Sequence, residues 1–133
     1  MANSLFDKGR EGFATGDIQW DSDDIRVMLV KSTYTYDGTD QFLADMGSVD
    51  NGRSAALGSK TTTSGICDAA DTSITATSAV ACNALVLFVH TGSDATAKLI
   101  GYIDTATGLP VTPSASQVFT VAWSNATNKI VKI

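Results

Sequence analysis

The chain has 133 residues, a length that suits one hydrophobic core, and 44% of them are hydrophobic, which sets it apart from disordered and fibrous sequences. Charged residues make up only 17%, and Thr, Ser, Ala and Gly take their place, a mixture that favours short strands and tight turns over long surface helices. The net charge is -5, and the nine Lys and Arg are scattered singly, so no basic face is on offer to nucleic acid or to an anionic membrane surface.

Residues 1–16 read as a helical segment. Asn3 or Ser4 can cap it, Asp7 and Glu11 sit toward the positive end of its dipole, and Leu5, Phe6 and Phe13 supply an apolar stripe. Gly9 and Gly12 each cost such a helix about 1 kcal/mol against Ala, so it needs a surface to lie on. Gly16 is placed to end it. Asp17-Ile18-Gln19-Trp20 alternates, with Ile18 and Trp20 on one side, before a turn at residues 21–24. Residues 24–31 form a strand. Ile25, Val27 and Leu29 share one face, while Arg26, Met28 and Val30 share the other. That second face is half apolar, which predicts cover on both sides.

Residues 33–38 read as a loop turning at Asp37-Gly38, and residues 41–46 as one or two helical turns stopped by Gly47. From 54 to 77 the strand signal is weak, carried by Leu57, Thr61, Thr63, Ile74 and Thr75. The strongest signal is an antiparallel hairpin of residues 85–90 and 97–104, central to its sheet, in which Gly101 marks a bulge or a close neighbouring backbone. A loop at 105–116 follows, with Gly108, Pro110 and Pro113. A second hairpin then closes the chain. Its first strand, residues 118–123, places Phe119, Val121 and Trp123 on one face; residues 124–128 turn; residues 129–133 return as a paired terminal strand. The sum is an all-β reading: one domain over residues 1–133, a β-sandwich or jelly roll of about eight short antiparallel strands, with the N-terminal helix on the sandwich, across a sheet edge, or on a partner.

Chemistry-bearing residues are sparse. His90 stands without a triad signature around it and reads as a polar strand-end residue rather than a general base. Asp21-Ser22-Asp23-Asp24 gathers oxygen ligands but lacks the Gly and Glu offsets of a calcium loop, so it reads as a solvated acidic turn, as do Asp68 and Asp71. Gly9-Arg10-Glu11-Gly12 is no phosphate cradle. Cys67 and Cys82 have neither zinc nor redox spacing and read as two small buried hydrophobes, a disulfide requiring neighbouring strands. Tyr34, Tyr36, Trp20 and Trp123 could build a sugar-stacking platform, although such rings more often serve as core or inter-subunit anchors. No catalytic, metal or cofactor site is expected. The longest apolar run, residues 84–89, is far short of the about 20 that span a bilayer, and the opening residues lack the regions of a secretory signal. The expectation is a protein made and folded in a cytoplasm.

Three stretches carry a family likeness. The first is Leu5-Phe6-Asp7-Lys8-Gly9-Arg10-Glu11-Gly12-Phe13 with Gly16-Asp17-Ile18-Gln19-Trp20-Asp21 and the strand Ile25-Arg26-Val27-Met28-Leu29-Val30. The second runs from Leu99-Ile100-Gly101-Tyr102-Ile103-Asp104 through Thr105-Ala106-Thr107-Gly108-Leu109-Pro110-Val111-Thr112. The third is Val121-Ala122-Trp123-Ser124-Asn125 with Asn128-Lys129-Ile130. Together they resemble a group of small tailed-phage virion proteins of the head decoration, or cement, type; the middle, residues 34–78, is looser. The resemblance implies a non-enzymatic protein on the outer capsid surface, whose partners are the major capsid protein and itself, as a dimer or trimer. It carries no fixed contact motif. From the residues, the apolar stripe of the glycine-weakened helix makes Leu5, Phe6, Arg10 and Phe13 the candidate contact set. A neck, tail or fibre component of the same fold and a carbohydrate-binding sandwich are the alternatives.

Overall fold

The computed structural model describes residues 3–125 and 129–132. Among them lie strands β1 (Ser4–Leu5), β2 (Ile25–Lys31), β3 (Asp50–Arg53), β4 (Ile66–Cys67), β5 (Thr72–Thr75), β6 (Cys82–Val89), β7 (Leu99–Ile103), β8 (Val118–Val121) and β9 (Val131–Lys132), with one helix, α1 (Asp7–Thr15). Pairing is antiparallel throughout, and the fold is predominantly β. Five strands form the main sheet in the order β1-β7-β6-β2-β3, while β4 with β9 and β5 with β8 form two separate ribbons.

At the centre, β2 and β6 pair from Ile25↔Val89 to Leu29↔Leu85 without a break. Both strands consist almost wholly of apolar residues, and both faces are covered, as the half-apolar second face of residues 24–31 predicts. One face buries Met28, Val30, Val86, Phe88 and Leu99 beneath residues 34–49, which include a 3₁₀ turn at Leu43–Met46. The other buries Ile25, Val27, Leu29, Leu87 and Ile100 beneath Ile18, Trp20, Leu57, Ile74 and Val121. Each such side chain taken out of water contributes about 1.5–3 kcal/mol. The sheet is therefore held by apolar burial from two sides.

The β6–β7 hairpin forms as the alternation predicts. Its bulge falls beside Gly101, where Leu87↔Gly101 gives way to Phe88↔Leu99 and Ile100 is the extra residue. The bulge lets Leu99 and Ile100 enter opposite cores.

Several expectations need correction. The helix starts at Asp7, because Ser4 and Leu5 are drawn out to pair with Tyr102 and Gly101, so neither Asn3 nor Ser4 caps it. Residues 17–20 form no strand, although Ile18 and Trp20 are both buried. Asp50-Asn51-Gly52-Arg53, to which no element is assigned above, is an edge strand on β2. The closing hairpin does not form: β8 pairs with β5 and β9 with β4. Asp71 accounts for part of this. Its Oδ1 accepts the Trp123 backbone N–H at 2.9 Å and so ties the end of β8 to the chain beside β5. The inner part of the predicted turn, 126–128, and Ile133 lie outside the described residues.

The glycines of α1 serve the packing. A Cβ on Gly9 would sit 2.6 Å from the Ile100 carbonyl oxygen, and one on Gly12 would sit 2.6 Å from Ile18 Cδ1. At Gly9 the helix lies against the outer edge of β7, close enough that a Cβ would strike backbone, so the surface it needs belongs to its own sheet. Gly9→Ala tests this. An unpacked helix would gain about 1 kcal/mol. Overpacking against a rigid carbonyl costs about 1–3 kcal/mol. The expected result in urea denaturation is a lowered midpoint for Gly9→Ala; a raised midpoint would contradict the contact.

Candidate functional site

The N-terminal arm is fastened from both sides. Asn3 Oδ1 accepts the backbone N–H groups of Asp104 and Thr105 at 3.0 and 2.9 Å. The Tyr36 hydroxyl donates to the Leu5 carbonyl oxygen at 3.1 Å, and Arg10 Nη1 donates to the same oxygen at 3.0 Å. Phe6 inserts beneath it, with its ring centroid 5.2 Å from that of Tyr36, which in turn lies 4.9 Å from that of Tyr102.

Beside this arm the surface is hollowed. A pocket of about 160 Å³ is lined by Ser4, Leu5, Gly101, Tyr102, Ile130 and Val131 among others. It shares Asn3, Ile103 and Ile130 with a larger hollow of about 400 Å³ that runs past Thr107 and Trp123. That hollow shares Leu85, Ala106 and Val121 with a third, of about 140 Å³, reaching Leu109 and Phe119. The three form one furrow. Its floor is the half-buried apolar fringe of the second core, including Leu5, Leu85, Ile103, Leu109, Phe119 and Ile130. The 104–109 loop forms one wall, and the end of β8 and residues 129–131 form the other. The furrow exists because the ribbons covering this face are short and leave apolar side chains half covered.

Of the four candidate contact residues, Leu5 lines the furrow. Arg10 stands exposed on α1, paired with Asp7 at 2.6 Å. Phe13 is half-buried against the second core. Phe6 is corrected: it is 0% exposed inside the first core and has no surface to offer a partner. Apolar spacing puts it on a helical stripe, whereas Phe6 is the extended residue that joins β1 to α1, and its ring turns inward.

The other candidates are occupied within the fold. His90 directly follows β6, its backbone N–H donating to the Asp24 carbonyl oxygen at 2.8 Å. Asp23 Oδ2 accepts the Gln19 backbone N–H at 2.8 Å, closing the acidic turn on itself. Cys67 and Cys82 are free and buried, matching the reading as small hydrophobes, and burial pushes the Cys67 thiol up to about 11. Trp20 and Tyr34 are buried, and the Trp123 indole N–H donates to the Ala70 carbonyl oxygen at 3.1 Å. These rings do not assemble an exposed stacking platform. Comparison with protein-family models, curated proteins and solved structures found no match to this chain.

On the opposite face two arginines organise the charge. Arg53 holds Asp94 through paired bonds of 2.9 and 2.8 Å, holds Asp50 at 2.6 Å, and lies 5.4 Å from the centroid of the Phe88 ring. Arg26 grips Asp24 with two bonds of 3.0 Å. These bonds hold the Asp94 and Asp24 carboxyls below their ordinary 3.8. A carboxyl lowered in the folded state adds stability that is complete above its unfolded pKa and is lost as pH falls through the folded one. Both carboxylates are partly exposed, so each effect is small and salt-sensitive. Urea midpoints taken from about pH 6 down to about pH 2 should fall below 3.8 more steeply for the native chain than for Asp94→Asn. Equal slopes would contradict the pairing.

Proposed function

We propose that this chain is a structural protein of a tailed-phage virion: a decoration, or cement, subunit that seats on the outside of the head shell and bridges neighbouring major capsid subunits. In this reading it is no enzyme and uses no cofactor. It is made in the host cytoplasm, ends on the virion surface, and associates with further copies of itself as a dimer or trimer. The main sheet with its two ribbons is then an opened β-sandwich, with the second layer reduced to short pieces.

One observation carries the reading. The three stretches that bear the family likeness are far apart in the chain, yet each contributes to the furrow. Leu5 and Leu29 come from the first, Ile103 with Thr105 through Thr107 from the second, and Val121 through Ser124 with Ile130 from the third. The looser middle, residues 34–78, supplies none of its lining. A half-covered apolar channel is the kind of surface a partner completes. Contacts of modest strength suffice when one subunit touches several shell subunits at once, because effective concentration multiplies them. The net charge of -5 suits a protein assembled beside packaged DNA without adhering to it.

A neck, tail or fibre component of the same fold would use the same furrow, and copy number separates the cases. A decoration subunit accompanies the shell lattice, whereas a neck or tail component is present at the count of a single ring. A sugar-binding role is the least favoured, since Trp20 and Tyr34 are turned inward.

The test is add-back to purified head shells that lack the chain, with bound copies counted by quantitative mass spectrometry. Binding should saturate at a number set by the shell lattice. Thr107→Arg, which places a long cation on the exposed furrow wall, should lower occupancy about tenfold or more. Thr35→Arg, on an exposed loop over the other face, should leave it unchanged. Ring-count stoichiometry, or equal losses from both variants, would overturn the assignment.

A further inference from the structure

At the β3 edge, Asn51 is completely buried, and both ends of its amide are used. Its Oδ1 accepts the Ser78 N–H at 3.0 Å, the Ser78 hydroxyl at 2.7 Å and the Thr77 hydroxyl at 3.1 Å. Its Nδ2 donates to the Ser78 carbonyl oxygen at 3.2 Å and to the Cys82 sulfur at 3.0 Å. The next residue has to be glycine. Gly52 adopts φ +128, and a Cβ there would fall on the Thr75 carbonyl oxygen where β5 crosses. The fold thus demands an Asn-Gly pair, the sequence in which an asparagine amide is most open to attack by the following backbone nitrogen. It is the one such pair in the chain; the other asparagines precede Ser4, Ala84, Ala126 and Lys129.

We propose that Asn51-Gly52 is a latent deamidation site, silent while β3 is docked and active once that edge opens, and that its product bars the chain from refolding. In the reaction the Gly52 nitrogen gives up its proton and bonds to Asn51 Cγ. The Cγ–Nδ2 bond breaks, and ammonia leaves with that proton. The cyclic imide then takes up one water at either carbonyl, giving aspartate or isoaspartate at position 51. Water is the one co-reactant.

The native geometry blocks the first step twice. The side-chain amide is pinned in its five bonds and cannot swing toward Gly52. The Gly52 N–H donates to Asp50 Oδ1 at 2.7 Å, and the adjacent carboxylate opposes loss of its proton. The native structure also rejects the product. An acid at 51 sets an oxygen against the Ser78 carbonyl oxygen, where an N–H now donates, and buries a charge where a neutral amide now sits. Isoaspartate adds a backbone carbon and breaks the β2–β3 register at Met28↔Arg53 and Val30↔Asp50.

The test incubates the full chain at mildly alkaline pH, in native buffer and in strong urea, and follows the peptide carrying Asn51 by mass. Conversion should run about tenfold or more faster in urea, since reaction in the native state proceeds through the opened fraction alone. Gly52→Ala, assayed in urea where folding is irrelevant, should slow it and so identify the attacking nitrogen. After dilution from urea, unmodified chains should regain protease resistance and modified chains should not. Equal rates in native buffer and urea, no slowing in Gly52→Ala, or modified chains that refold as well as unmodified ones would overturn the proposal.

Discussion

The paired strands β2 and β6 are buried on both faces, and the rest of the fold answers to that constraint. A sheet whose central strands carry Ile25, Val27, Met28, Leu29 and Val30 opposite Leu85, Val86, Leu87 and Phe88 leaves no side for water. Each flanking segment therefore serves as cover. Residues 34–49 close one face with Leu43, Met46 and the Tyr34–Tyr36–Tyr102 ring cluster. Residues 17–20 and the two ribbons close the other. The edges are managed separately. At β7, the short β1 and the glycine face of α1 occupy the outer edge; at β3, buried Asn51 ties the strand to residues 77–78.

The two covers are unequal, and the furrow follows from the difference. The first core closes over its residues, with Tyr36 its half-buried fringe. The second is closed by a pair of two-residue strands and a pair of four-residue strands, which are too short to reach across the sheet. Its fringe is left half covered, and the 104–109 loop stands over it. Function, in the proposed reading, resides in that incompleteness: the apolar surface the chain does not cover itself is what a neighbouring subunit covers.

Much of this was legible in the sequence where local pattern and tertiary role coincide. Residues 24–31, 85–90 and 97–104 are dense in apolar β-formers, and they appear as β2, β6 and β7. Gly47 and Gly16 end their helical turns where expected. The misses share one cause, which is non-local pairing. Asp50-Asn51-Gly52-Arg53 has turn chemistry but is a strand because β2 offers it an edge and Asn51 finds partners 26 and 27 residues away. The final strands choose the weak, polar segments at 66–75 over each other. Leu5 and Phe6 fit a helical stripe until β1 extends the backbone, exposing Leu5 to the furrow and sending Phe6 into the core. Gly9 and Gly12 read as flaws in an isolated helix; their purpose depends on Ile100 and Ile18. The furrow could not be read at all, since no local signal links residues 3–5, 103–107 and 121–124.

The central claim is that the furrow is where the chain meets its partner. Amide hydrogen exchange, comparing the free chain with the chain bound to shell particles, addresses it most directly. Protection gained on binding should concentrate in the peptides covering residues 3–5, 101–107 and 121–124, with little change over residues 34–46 on the opposite face. Protection confined to residues 34–46, or none anywhere despite binding, would contradict the account.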